Sequence, residues 1–275
     1  MSNVSSKPVA NPVPQNVEAS SVSNLKASIP IVPWKPWLGF IFIVVIFYSS
    51  QLFSSLIISL YPWIQQWSTV QANAWLNNSV PAQFVYVLIA ETYSIGLIYL
   101  FLKRYKTNFS IIGLRKPRWR DLGYGLLAVP FYYVFYLLTV TVVSHFVPSL
   151  NINQHQNVGF TDVHGLAMLL MTFISLVILP PIAEEIMVRG FLYSSLRKGL
   201  PQIMAVILTS IIFASAHLPE GGSAGPLYIA ALDTFVLSLV LIYLRNRTGS
   251  LWASITLHGF KNGIAFVAIF ILNTH

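Results

Sequence analysis

Leu179-Pro-Pro-Ile-Ala-Glu184-Glu185-Ile-Met-Val-Arg189 sets two adjacent carboxylates, and a cation four residues after the second, inside one of the most apolar parts of the chain. The apolar run around it, residues 164–188, is long enough as a helix to cross the roughly 30 Å hydrocarbon core of a bilayer. Charges at that depth cost several kcal/mol, so an acid there marks a functional site by default.

Composition supports the membrane reading. Of the 275 residues 55% are hydrophobic and only 9% charged, with mean hydropathy +0.68, where soluble domains carry about 25% charged residues. The chain is an integral membrane protein. Sixteen Lys and Arg against eight Asp and Glu give a net charge of +8, but the basic residues sit in short loops between apolar runs, as topology signals do. No nucleic-acid face is present. The absence of cysteine excludes disulfides, thiol catalysis and Cys-type zinc sites. Polar residues fill the first thirty positions, which reads as a disordered cytoplasmic tail over 1–30 and not as a cleaved signal peptide.

Seven spans are expected, near 37–60, 82–102, 122–147, 164–188, 201–217, 227–244 and 250–270, giving an all-α polytopic transmembrane bundle. The segment from Lys103 to Arg120 holds seven basic residues and no acid, so it is cytoplasmic by the positive-inside rule. Arg197-Lys198, Arg245 and Arg247 fall on the same side if the spans alternate. The uncharged loop 61–81 belongs outside, and the N-terminus inside. The fifth and sixth spans meet at the turn Leu218-Pro-Glu-Gly-Gly-Ser-Ala-Gly-Pro226, which can dip into the membrane only where it lines a cavity. No internal repeat is visible, which disfavours an inverted-repeat transporter.

Four of the eight acids fall within the expected spans: Glu91, Glu184, Glu185 and Asp233. Of the histidines, His155, His164 and His275 lie in loops or at the tail and His145 near a span end, whereas His217 and His258 lie inside late spans. A hairpin with its tip at Gly199-Leu-Pro201 sets Glu184 about 21 Å above Lys198 and His217 about 24 Å above Pro201. His258 stands about 12 Å above Ser250 and reaches the same layer if the tip projects about 10 Å beyond the membrane. Glu185 and Arg189 are one helical turn apart and can pair. Glu184, rotated by about 100°, can then face a cavity. Burial away from a cation increases a carboxylate's affinity for a proton, as a general base requires. His258 and Asn262 share a face and can orient a water or donate to an oxyanion; Phe213 can wall off solvent. The plainer readings are a structural Glu185–Arg189 ion pair, interhelical hydrogen bonding by the two histidines, and a charge-neutralising Asp233–Lys261 pair between adjacent helices. No His-Glu-x-x-His occurs.

Three motifs in order carry a resemblance. Glu184-Glu185-Ile-Met-Val-Arg189 resembles the Glu-Glu-x-x-x-Arg motif of the CPBP intramembrane proteases, also called the Abi family, which takes in type II CAAX prenyl proteases and lysostaphin-resistance-protein-A-like members. Phe213-Ala-Ser-Ala-His217 and His258-Gly-Phe-Lys-Asn262 are similar to its second and third motifs, and Gly113-Leu114-Arg115 is a weaker echo. The resemblance covers roughly 110–270 and implies N-terminal transmembrane helices over 31–110 and a catalytic transmembrane core over 111–275. It implies an intramembrane endopeptidase in which Glu184 activates water, His217 lies close to that water, His258 and Asn262 stabilise the oxyanion, and Glu185 and Arg189 brace and tune the base. Zinc is a possible cofactor, with Glu184, His217 and His258 sufficing as three ligands and a fourth position open; a metal-free glutamate mechanism uses the same atoms. The implied partners are membrane lipid and a membrane-embedded or secreted peptide or protein, with bacteriocin processing or self-immunity as a role. Short length and basic-loop topology read as a multi-pass protein of a bacterial plasma membrane. Two alternatives stand beside the protease: a non-catalytic scaffold or immunity protein binding through the same cavity, and a small-solute transporter with Glu91, Asp233 and Lys261 as its relay.

Overall fold

The computed structural model describes residues 30–154, 156, 158–219 and 225–272. The tail expected over 1–30 (all but its last residue), most of the Leu218–Pro226 turn, His155 and His275 lie outside the described residues. The described residues contain helices and no strand. The helices are α1 Pro36–Ile64, α2 Thr69–Asn78, α3 Val80–Arg104, α4 Trp119–Phe146, α5 Gly165–Gly199, α6 Gln202–Ala216, α7 Tyr228–Thr248 and α8 Trp252–Ile271. Six of them, α1, α3, α4, α5, α7 and α8, are long and apolar enough to cross a membrane, and α6 is a shorter apolar helix. These account for the seven expected spans. At 15 residues, α6 is about 22 Å long, so its C-terminal end falls short of a full crossing.

The uncharged loop 61–81 holds a helix that hydropathy did not suggest. Ser68 accepts from the backbone N–H of Gln71, and the Gln71 side chain accepts from the Ser68 backbone N–H, closing a capping box that starts α2. Tyr61, Trp67 and Trp75 pack edge-on and tilted around it, the composition of an aromatic belt at a membrane interface.

The basic segments converge on one end of the bundle, which the positive-inside rule assigns to the cytoplasm. There Lys198 Nζ donates to the carbonyls of Pro33 and Trp34, and the buried Trp34 indole donates to Ser195 Oγ at 2.7 Å. Trp34, Phe101 and Phe191 form the aromatic centre of the larger core cluster, which joins α1, α3 and the part of α5 at this end. A second cluster, built on Tyr132, Leu237, Leu241 and Leu257, joins α4, α7 and α8.

A short clamp ties these halves together. Arg115 Nε donates to the carbonyl of Gly249 at 2.8 Å and its Nη2 to Thr248 O at 3.3 Å. The Trp252 indole donates to Arg115 O at 2.6 Å, and Leu251 N to Gly113 O at 3.0 Å. Residues 113–115 therefore hold the turn from which α8 rises. Gly190, beside Arg189 on α5, admits this junction: a Cβ there would meet Leu251 Cδ1 at 3.1 Å and Ile112 Cδ1 at 3.2 Å. Gly113 adopts φ +96°, and an added Cβ would overlap the buried guanidinium of Arg245. Gly113→Ala thus combines left-handed strain of about 1–2 kcal/mol with a steric overlap. Its expected result is a clearly lowered unfolding midpoint in detergent; an unchanged midpoint would remove the clamp's structural importance.

Candidate active-site cavity

Helix α5 carries the two glutamates on irregular backbone. Two stretches, Ile174–Ile178 and Glu185–Leu192, are π-helical, with Leu179–Glu184 α-helical between them. Such widened turns often mark functional positions. Glu185 opens the second stretch and Glu184 closes the α-helical turn, so the neighbours face different surroundings.

Glu185 points into the protein. Its Oε1 lies 3.0 Å from Arg189 Nη1, both side chains being fully buried, and 3.1 Å from His258 Nδ1. The Arg189 guanidinium stands over the Phe213 ring, 4.0 Å from its centroid, in cation–π contact. Phe213 in turn meets the rings of His217 and His258 at 4.7 and 6.1 Å between centroids. It is buried, is not among the residues that line the cavity, and packs between Arg189 and the two imidazoles.

Glu184 faces the other way, onto a cavity of about 230 Å³ whose walls also include His217, His258, Asn262, Asp233 and Lys261. The shared layer inferred from helix rise is present. His258 Nε2 is 3.7 Å from Glu184 Oε2. An ionised carboxylate only accepts, so the bond to Glu185 makes His258 Nδ1 the N–H nitrogen and turns Nε2 toward Glu184. His258 therefore sits between the two carboxylates, where the sequence suggested partnership with Asn262.

His217 follows the last residue of α6. Its Nδ1 is 2.8 Å from Phe213 O, four residues back, and so satisfies one of the carbonyls that a helix end leaves orphaned. A carbonyl cannot donate, so Nδ1 carries the hydrogen and, in the neutral ring, Nε2 carries the lone pair. Asn262 is anchored across the helix pair: its Nδ2 donates to Leu176 O on α5 at 3.0 Å.

Asp233 and Lys261 form the expected interhelical pair, 2.8 Å apart, with the Tyr132 hydroxyl donating to the other Asp233 oxygen. Spacing gave the pair but not its place on the cavity wall, nor Tyr132. Glu91 is not among the lining residues, so the relay of Glu91, Asp233 and Lys261 is not assembled there.

The zinc set expected from Glu184, His217 and His258 shares the cavity. Among the described residues, however, no three His, Asp or Glu side chains are grouped so as to hold a metal ion. His258 donates from Nδ1 to Glu185 and His217 from Nδ1 to a backbone carbonyl, which leaves the Nε2 atoms for the cavity, the pattern of acid–base and of metal-ligating histidines alike. The arrangement fits hydrogen-bonded acid–base chemistry, and a zinc ion would be held by the same Glu184, His217 and His258 side chains.

Residues 166–264, which contain all three motifs, match the family model described as Rce1-like, type II CAAX prenyl endopeptidase Rce1-like. This region is similar to that family. The resemblance read from the motifs is borne out, and the Rce1-like region holds the whole Glu184, His217, His258 and Asn262 constellation. No curated protein and no solved structure matches the chain.

Proposed function

We propose that the protein is an intramembrane endopeptidase that hydrolyses a peptide bond with a water activated by Glu184. The observation that carries this reading is the cavity in which Glu184, His217, His258 and Asn262 meet, inside a region that matches a family of membrane endopeptidases. Glu184 takes a proton from water as the oxygen attacks the carbonyl carbon of the substrate. The tetrahedral oxyanion is met by an N–H of Asn262. The C–N bond then breaks, and the proton held by Glu184 passes to the departing amine.

His217, with its Nδ1–H fixed on Phe213 O, presents Nε2 as an acceptor for the water. His258, its Nδ1–H held by Glu185, donates from Nε2, 3.7 Å from Glu184 Oε2, only with a second proton on that nitrogen. In that form it meets the oxyanion with Asn262, the role that the resemblance implies. The buried Arg189–Glu185 pair fixes His258 in turn. The substrate class is a membrane-embedded or secreted peptide or protein, and bacteriocin processing or self-immunity is one biological role of that kind. We place the protein in a bacterial plasma membrane on the strength of its basic cytoplasmic loops.

A fluorogenic membrane-peptide library offered to the detergent-purified protein tests the reading, with and without a strong chelator. Cleavage that survives the chelator is the expected result. Cleavage abolished by the chelator and restored by zinc would replace the metal-free route with a metal-dependent one. Binding of peptides without cleavage would favour the scaffold.

A further inference from the structure

The carbonyl of Leu176 is stripped of helical donors by the sequence that follows it. In an α-helix its partner is the N–H of residue 180, and in a π-helix that of residue 181. Both are proline, which has no N–H. The local register is the wider one, because Leu179 N bonds Ile174 O, five residues back. Position 181 is therefore where the donor to Leu176 O would stand. In a membrane interior a carbonyl without a donor is costly, and here the donor is the side chain of Asn262 at 3.0 Å. That bond orients the amide, since only its NH2 group can face a carbonyl, and it leaves the second N–H for the cavity that Asn262 lines. α5 and α8 approach closely at this point: a Cβ added to Gly259 would stand 3.3 Å from Val177 O.

We infer that Pro181 is a positioning residue: by withholding an N–H from Leu176 O, it recruits the Asn262 amide and presets its second N–H toward the reacting carbonyl. Pro181 itself is buried and lies on the apolar side of α5 facing Ile255 and Gly259, away from the cavity, whereas Pro180 lines the cavity wall. Proline is the least favourable residue within a helix, so its presence at 181 works against helix stability while it serves the site. The inference rests on the endopeptidase reading.

The test is Pro181→Ala in the full chain. Alanine supplies the N–H that Leu176 O lacks and improves helix propensity. The unfolding midpoint is expected to hold or rise, while kcat falls by about tenfold to a hundredfold and KM stays within about twofold. A proline that only shapes the helix would not lower kcat in a protein of equal or greater stability. Side-chain amide exchange of 15N-asparagine in the wild-type protein gives a second measurement, with the Asn262 signal assigned by its loss in Asn262→Asp. Protection of that amide in the wild type, and faster exchange in Pro181→Ala, is the expected pair of results. A wild-type Asn262 amide that exchanges freely overturns the inference, as does an unchanged kcat in Pro181→Ala. Should Pro181→Ala fail to accumulate, the wild-type exchange still decides. A wild-type protein that cleaves no peptide overturns the endopeptidase reading instead, and exchange judges the anchor without turnover.

Discussion

Glu184→Gln is expected to slow peptide-bond cleavage by about 10²- to 10⁴-fold, the usual contribution of a positioned general base, while the protein inserts and accumulates like the wild type. Glutamine keeps the shape of the side chain and can still meet His258 Nε2, which stands 3.7 Å from Glu184 Oε2. It cannot take the proton from water. Because Glu184 lies on the cavity wall, outside the fully buried Glu185–Arg189 pair, the substitution leaves no buried charge unmatched. Initial rates in proteoliposomes, normalised to folded protein by gel filtration, check both halves of the expectation. Wild-type rates from Glu184→Gln would remove the proposed base.

Arg189→Ala is expected to fail differently, by loss of folded protein. It would leave Glu185, fully buried, facing only the imidazole of His258. Breaking a buried pair by removing one partner costs about 3–5 kcal/mol, a large part of a typical stability of about 5–15 kcal/mol. The contact of the guanidinium with Phe213 adds about 0.5–2 kcal/mol. The double variant Arg189→Met with Glu185→Gln is expected to regain yield, because no charge is then buried alone and the glutamine carbonyl still accepts from His258 Nδ1. The folded fraction after solubilisation measures this. Normal yield and full activity in Arg189→Ala would contradict the bracing role of the pair.

What hydropathy and local spacing could express was legible in the sequence. The apolar runs gave the spans, and helix rise placed Glu184, His217 and His258 in one layer. The one-turn spacing of Glu185 and Arg189 gave their pair. Features that depend on segments far apart in sequence were not legible: His258 standing between Glu184 and Glu185, the grip of Arg115 on Gly249, and Tyr132 joining Asp233 all follow from how α4, α5, α7 and α8 pack. Two signals were local and still missed. Ser68 and Gln71 have capping-box spacing that foretells α2, and Pro180-Pro181 announces that Leu176 O needs a donor from elsewhere. That Asn262 supplies it required the register of α8 against α5, which the Gly259 approach fixes.

Incorporation of solvent oxygen tests the central claim most directly. A peptide that the purified wild-type protein cleaves is to be digested in 18O-water, with Glu184→Gln alongside, and the new C-terminal carboxyl weighed by mass spectrometry. Hydrolysis by a Glu184-activated water predicts one 18O in each newly formed carboxyl from the wild type and product from the variant formed about 10²- to 10⁴-fold more slowly. Labelled product formed equally fast by Glu184→Gln, or wild-type product without the label, would contradict it.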